Sequence, residues 1–463
     1  MNTLEILKQI QALVWSPPLL ILLGGMSLYM TVMLRGLQFR YLIYSLKTAF
    51  SRQGNETKVA GELTHFQALM TSLAAAIGTG NIAGVATALA TGGMGSLFWM
   101  WVIALLGMII KYCESLLAVK YRIRNANGEM SGGPMYFLAR GAGMKKTGAA
   151  FALFGVLATI GTGNMVQVNS VADALNSSFH IPPLYTGIAL AFITGAVLLK
   201  GIRSIGKVAE YFVPVMACLY LLGGLAILCL NLDRIPETFL YIISSAFKGE
   251  AAFGGFLGSS VALTIQTGIA RGIFSNEAGL GTSSIASAAA MTKEPGTQAM
   301  VSMTSAFLST VIVCTITGLV IGVTGVLGTA DPETGRILNG APMALKAFGS
   351  QLPGGEYIVT FGLILFAWST ILGWAYYGEK CLEFLTGIKM IPVYRIVYIG
   401  CMIPAALLEL ESVWTLADIT NGLMMIPNLI GIFSLREVIY QETRLYLEKI
   451  KTRKAFALKQ SRA

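Results

Sequence analysis

Residues Phe66–Ile110 read FQALMTSLAAAIGTGNIAGVATALATGGMGSLFWMWVIALLGMII, without one Asp, Glu, Lys or Arg. A membrane-spanning helix needs about 20 mostly apolar residues, so this run is too long for one helix and fits two. Thr91-Gly-Gly-Met-Gly95 supplies the turn between them. Within the first helix, Ala74-Ala-Ala-Ile-Gly-Thr-Gly-Asn-Ile-Ala-Gly84 places three glycines in mid-run. Each costs a helix about 1 kcal/mol relative to alanine. Taken alone, the cluster reads most simply as close helix packing through small residues.

The rest of the chain extends the pattern. Of 463 residues, 55% are hydrophobic and 12% charged, with mean hydropathy +0.68. Soluble domains carry about 25% charged residues, so a cytosolic enzyme and a disordered chain are both excluded. Eleven windows are expected to span, roughly 17–35, 66–91, 94–119, 150–176, 182–200, 208–230, 256–289, 300–327, 357–378, 391–408 and 413–435. Nothing alternates as a β-barrel would. The fold class expected is an all-α polytopic membrane protein. The first apolar run, Pro17–Leu34, is long enough to span, and it is read as a helix and not as a cleaved signal.

The net charge of +10 comes from residues between the apolar runs, which points to a membrane and not to nucleic acid. With the amino terminus outside, 27 of the 33 Lys and Arg fall on the inner side and five (Lys8, Arg234, Lys248, Arg336, Lys346) outside, leaving Arg271 within a span. The expected location is the cell (inner) membrane, with the carboxyl terminus cytoplasmic and the basic tail against anionic lipid. The six cysteines lack C-x-x-C spacing and are expected to pack, and two histidines make a histidine metal site improbable.

A second interrupted span, Gly268-Ile-Ala-Arg-Gly-Ile-Phe-Ser-Asn-Glu-Ala-Gly-Leu-Gly281, changes the weight of the first. With the amino-terminal span set aside, ten remain, and the breaks fall in the first and the sixth. Two halves of five must run in opposite directions, so the repeat is inverted. Paired Gly-interrupted spans at matching places are a sequence pointer to a transporter's substrate site. Unwound backbone at that depth is tolerated only in protein or around a cavity, where amides can hold a carboxylate and carbonyls a cation. The expected organisation is an extra helix and linker over 1–60, five-helix repeats over 61–232 and 245–436, and a basic tail over 437–463. Gly78-Thr-Gly80-Asn-Ile-Ala83 also matches a dinucleotide fingerprint, but it lacks the preceding strand and the acidic residue about 20 residues on.

Ile77-Gly-Thr-Gly-Asn-Ile-Ala-Gly84, Gly133-Pro-Met-Tyr-Phe137, Gly272-Ile-Phe-Ser-Asn-Glu-Ala-Gly279, Ser369-Thr-Ile-Leu-Gly-Trp374 and Tyr377-Gly-Glu379 resemble the alanine/glycine:cation symporter family, over about residues 15–440. The resemblance implies the inverted five-plus-five LeuT-type fold of the amino acid–polyamine–cation superfamily, with one extra helix before it. It implies cotransport of a small neutral amino acid (L-alanine, glycine, with D-alanine left open) with sodium, a proton being the alternative ion, and no organic cofactor. Trp368 stands where the family pattern commonly has Phe.

The resemblance also implies roles. The amides of Thr79 and Gly80 face the substrate carboxylate, and Asn81 serves either that carboxylate or a second ion. Carbonyls of Ala74 and Ile77 with the hydroxyls of Ser369 and Thr370 form a sodium site, a set of oxygen ligands suited to a hard cation. Hydroxyl bonding back to their own helix is the alternative for the last two. Gln167 is expected to accept a hydrogen bond from the substrate ammonium, with helix–helix bonding as its alternative. Ser275 and Asn276 join the substrate set, and Ile273, Phe274 and Trp368 wall the pocket.

Four charged groups read as structural. Arg271 and Glu277 are costly within a span unless paired, and are taken as a structural pair, with gating of the inner mouth as the alternative. Lys111 and Glu114, at i and i+3, are expected to pair on one helix face near the inner surface. A membrane enzyme would need a converging nucleophile or metal cluster, and a channel a continuous polar ring; the sequence offers neither.

Overall fold

The computed structural model describes residues 3–51, 61–248, 259–331 and 335–460, nearly all of them helical. In chain order the principal helices are α1 (Thr3–Val14), α2 (Pro17–Met33), α3 (Leu42–Phe50), α4 (His65–Ala76), α5 (Ala83–Gly92) and α6 (Gly95–Lys120). A small antiparallel hairpin follows, β1 (Ile123–Arg124) against β2 (Met130–Ser131). Next come α7 (Lys145–Ile160), which continues through a π turn, Gly161–Met165, into α8 (Val166–Phe179), then α9 (Pro183–Leu198), α10 (Ile202–Leu230) and α11 (Ile235–Lys248). The second half holds α12 (Val261–Asn276), α13 (Thr282–Ala288) and α14 (Pro295–Ala306), which a π turn at Phe307–Cys314 joins to α15 (Thr315–Thr324). The last are α16 (Gly340–Gly349), α17 (Gly355–Thr386), α18 (Ile391–Gly400), α19 (Leu410–Ser434) and α20 (Arg436–Gln460).

Among the described residues, eight helical stretches are long and apolar enough to cross a membrane. They coincide with eight of the eleven windows read from the sequence. The other three differ for identifiable reasons. Window 66–91 is cut into α4 and α5, and window 182–200 becomes the 16-residue α9. Window 256–289 is cut into α12 and α13, and its residues 256–258 lie outside the described set, as do 52–60 of the expected linker. A break within a span shortens both pieces below spanning length, so the interrupted helices are the ones a length test loses.

Burial separates centre from rim. The most apolar windows of α6 and α17 are 83% and 78% buried, against 39% for α10 and 22% for the stretch around α18. The rim presents bare apolar side chains, among them Phe192, Tyr211, Leu222 and Ile396, as a surface facing hydrocarbon would. At the centre, α12 lies against α6 through Gly268 and Gly272, at i and i+4 on one face. A Cβ on Gly268 would stand 2.5 Å from the Ser96 carbonyl oxygen, and one on Gly272 2.5 Å from Ile103 Cγ2. Small residues here let two backbones approach, as is usual between membrane helices.

Local signals set the helix starts. Thr64 and Gln67 form a reciprocal capping box at the head of α4, each side chain accepting the other's backbone N–H at 3.1 Å. Ser260 accepts the Leu263 N–H at 3.2 Å and caps α12. All six cysteines are unpaired.

Candidate functional site

The two breaks face each other across the centre of the bundle. At the first, Ile77 and Gly78 leave the helical conformation and one 3₁₀ turn, Thr79–Asn81, precedes α5. Its loosened backbone groups find neutral partners. Asn81 Oδ1 accepts the Gly78 N–H at 3.1 Å, and Gln167 Oε1 accepts the Thr79 N–H at 3.2 Å. Thr317 Oγ1 donates to the Asn81 carbonyl at 2.8 Å, and Trp374 Nε1 to the Ala75 carbonyl at 3.3 Å.

The oxygens named from sequence as a cation site do meet. Thr370 Oγ1 lies 2.9 Å from Ala74 O and 3.4 Å from Ile77 O, and Ser369 Oγ lies 3.3 Å from Ala74 O. Both hydroxyls are buried. Ser369 also donates to Phe366 O at 2.9 Å, the bond to its own helix weighed as the alternative. Two carbonyls from a broken helix and two hydroxyls from α17 make an all-oxygen set with no carboxylate, chemistry suited to a hard monovalent cation.

Around Asn81 sits a further polar group. Its Nδ2 donates to Ser309 O at 2.9 Å and Ser275 Oγ at 3.1 Å, and Ser275 Oγ lies 2.6 Å from Thr310 Oγ1. The π turn Phe307–Cys314 leaves the Ser309 carbonyl free to accept, a common use of such turns. Phe274 closes the other side: a Cβ on Gly80 would stand 2.5 Å from Phe274 Cδ1, and the Phe274 and Trp414 ring centroids are 4.6 Å apart. The structure therefore brings Thr79, Gly80, Asn81, Gln167, Phe274 and Ser275 to one place. Ile273 is buried in the main apolar core, and its carbonyl accepts the Glu277 N–H at 2.7 Å.

The second break is built with charges. Glu277, Gly279 and Gly281 all have φ between 59° and 89°. Two glycines adopt that conformation freely, whereas Glu277 bears a strain of about 1–3 kcal/mol that its surroundings must offset. They do so with fully buried partners. Lys111 Nζ donates to Asn276 O at 2.6 Å, and Glu114 Oε1 accepts the Gly279 N–H at 3.1 Å. Asn428 Nδ2 bonds both Glu114 Oε1, at 2.6 Å, and Gly279 O, at 2.8 Å, while Thr282 Oγ1 donates to Glu277 Oε2 at 3.0 Å. Asn276 turns its Oδ1 to the Ala278 N–H at 2.8 Å, closing its own turn.

Two readings are corrected here, those of Arg271 and of Lys111 with Glu114. Arg271 pairs with Asp418 at 2.5 Å, not with Glu277; six residues apart across a helix end, 271 and 277 point in different directions. The Arg271 guanidinium also lies 4.6 Å from the Trp414 ring centroid. Lys111 and Glu114 are buried and hold the second break; they do not form a surface pair. The Gln167 oxygen is taken by the Thr79 amide, and its Nε2 donates to the Thr162 carbonyl at 3.0 Å. Trp368 packs on Phe212 of α10, centroids 5.3 Å apart, and Trp414 is a ring that lies against Phe274. Asp418 had a signal in the sequence, being the one charge in window 413–435, and Arg271 lies near the middle of window 256–289. Opposite charges in two spans invite pairing.

Both ends of the broken pair are tied. Glu62 and Leu63 donate to Ala289 O at 2.8 and 3.1 Å, and Met291 donates to Leu63 O at 2.8 Å. Arg122 caps Ala288, Ala290 and Thr292 carbonyls at 2.7–2.8 Å. Burial pushes the neighbouring Glu62 carboxyl above its ordinary range.

A profile described as "Sodium:alanine symporter family" matches residues 1–460. The chain belongs to that family. It is 50% identical over 455 residues to the sodium/alanine symporter AgcS of Methanococcus maripaludis, covering 97% of this chain and 98% of that one. Membership of a symporter family makes it a multi-pass membrane transporter and not an enzyme. Two solved structures share its LeuT-type fold. MhsT, crystallised with L-phenylalanine, aligns at TM-score 0.58 and 14% identity, covering 83% of this chain and 98% of that one. A manganese transporter mutant of Eremococcus coleocola aligns at 0.52 and 13%, covering 83% and 82%. Neighbours with such different cargo show the fold alone, and substrate must be argued from the site.

Proposed function

We propose that the protein imports small neutral amino acids, L-alanine and glycine, by sodium symport across the cell's inner membrane, D-alanine being the further substrate to test. The observation that carries this reading is the convergence of Ala74 O, Ile77 O, Ser369 Oγ and Thr370 Oγ1 beside the unwound Gly78–Asn81 segment. A cation in that set joins α4 to α17, so its binding favours one arrangement of the two helices over another.

The hydrogen bond from Thr79 N–H to Gln167 Oε1 supports a specific mode of substrate capture. It couples a donor suited to a carboxylate with an acceptor suited to an ammonium. A zwitterion entering between them satisfies both: Thr79 and Gly80 amides take the carboxylate, and Gln167 takes the ammonium. Phe274 and Trp414 then bound the side chain, which suits a hydrogen or a methyl group. Asn276 is retained as a neighbour of this set and Trp368 is not.

In this reading all eleven windows span, the halves 61–232 and 245–436 are inverted repeats after the extra helix of 1–60, and the amino terminus lies outside with the 437–463 tail in the cytoplasm. Alternating access would open the Arg271–Asp418 side and the Arg122 side in turn. Uptake of labelled alanine into proteoliposomes tests the function. An inward sodium gradient should drive accumulation, and glycine should compete. Equal accumulation in sodium-free medium under a pH gradient would make the proton the coupling ion instead.

A further inference from the structure

A cavity of about 370 Å³ lies where the end of α2 meets α20, well away from the two breaks. Its size falls in the roughly 300–1,000 Å³ range of small-ligand sites. Four cations line it, Arg35, Arg40, Arg444 and Lys451, against one carboxylate, Glu448. Glu448 is spoken for, accepting from Arg444 Nε at 3.1 Å. Arg35, Arg40 and Lys451 have no carboxylate within ion-pair distance among the described residues. A concave site with three uncompensated positive charges wants an anion.

Position says which anion. The apolar run of α2 ends at Met33, and the cavity begins with Met33, Leu34 and Arg35. The first polar residues after a span sit at the depth of lipid headgroups. Tyr41 and Tyr440, also in the lining, are the amphipathic rings that favour this level. The Arg40 guanidinium lies 5.9 Å from the Tyr41 ring centroid and its Nη1 donates to the Arg35 carbonyl at 3.5 Å, one bond of the several that a guanidinium can make. Beside the cavity, α2 exposes Leu28, Tyr29 and Val32, a strip along which acyl chains can run.

We propose that this cavity binds the phosphate of one anionic phospholipid, with Arg35 and Arg40 supplying charge-assisted hydrogen bonds and the chains lying along α2. The site clamps the extra amino-terminal helix to the carboxyl-terminal helix, so the lipid bridges the two ends of the chain. It requires only that the chain lie in a bilayer and is independent of the substrate reading. A free phosphate shares the headgroup's chemistry but not its chains, and the strip on α2 favours the lipid.

The test uses the full chain in detergent, titrated with phosphatidylglycerol, with phosphatidylcholine or with inorganic phosphate, bound lipid being counted by native mass spectrometry and stability by thermal melting. One phosphatidylglycerol should remain bound and raise the melting temperature, while phosphatidylcholine and inorganic phosphate leave it unchanged. Arg40→Gln/Lys451→Gln, both exposed and therefore tolerant of change, should weaken phosphatidylglycerol binding about tenfold, the loss of a charge-assisted pair. Arg35→Gln alone should move it in the same direction. Equal binding of phosphatidylcholine, or wild-type phosphatidylglycerol binding by both variants, would overturn the proposal. An equal shift with inorganic phosphate would overturn its lipid half and leave an anion site.

Discussion

At the first break the Ala74 and Ile77 carbonyls meet hydroxyls of Ser369 and Thr370, whereas at the second the Asn276 carbonyl meets Lys111 Nζ at 2.6 Å. The surrounding groups follow suit: amides and hydroxyls around Gly78–Asn81, and buried Glu114 and Lys111 around Asn276–Gly281. Both breaks expose carbonyl oxygen in a low-dielectric centre, where it must be compensated. The second is met by the Lys111 side chain, a donor built into the chain. The first has no such basic side chain among the described residues, and in the proposed reading a sodium ion takes that place. On the proposed reading, a built-in donor makes a fixed joint, and an exchangeable ion makes a joint that a ligand can set.

Breaking this contrast at the fixed joint should have the largest effect. Lys111→Met leaves buried Glu114 and Glu277 without their cation, a loss of about 3–5 kcal/mol. The variant should be poorly folded in detergent, as thermal melting and size-exclusion profiles would register. A variant that melts like the parent would show that the second break needs no built-in charge.

Gln167→Ala acts at the first joint. It strips the Thr79 amide and the Thr162 carbonyl of their partners and removes the proposed ammonium acceptor. Alanine Kd should rise by about ten- to a hundredfold, as befits a hydrogen bond to a charged group, with the protein still folded. Unchanged binding would return Gln167 to helix packing.

The wall residues sharpen the comparison at a smaller scale. Phe274→Ala should admit valine or leucine as competitors of alanine uptake, since side-chain contacts of this kind discriminate by about 1–3 kcal/mol. Trp368→Ala should leave selectivity as it was, because its ring faces Phe212. Competition assays on the two variants side by side give the check; a change in selectivity at Trp368 and none at Phe274 would reverse the assignment.

Much of this was legible in the sequence. Glycine clusters marked both breaks, and the paired motifs marked the oxygens that meet at Ala74 and Thr370. What sequence could not separate is the repeated pentapeptide Ile-Gly-Thr-Gly-Asn at 77–81 and 160–164. The first copy unwinds, and the second stays in a continuous helix as a π turn. The difference lies in distant partners. Asn164 Nδ2 reaches Tyr398 O at 2.5 Å, the Tyr398 hydroxyl returns to Gly163 O at 3.1 Å, and Gln167 takes up Thr162 O. Asn81 instead folds back on Gly78 and reaches across to α12 and the Phe307–Cys314 turn. Ring direction at Trp368 and the partner of Arg271 were hidden for the same reason, since helix phase and packing decide them and spacing does not.

The claim that the first break is an exchangeable cation joint is tested most directly by sodium titration of alanine binding in the parent and in Ser369→Ala/Thr370→Ala. The double variant should need a sodium concentration at least about tenfold higher for half-maximal binding, with alanine affinity at fixed sodium falling in step through linkage. Identical sodium dependence in a folded double variant would place the ion elsewhere and contradict the account.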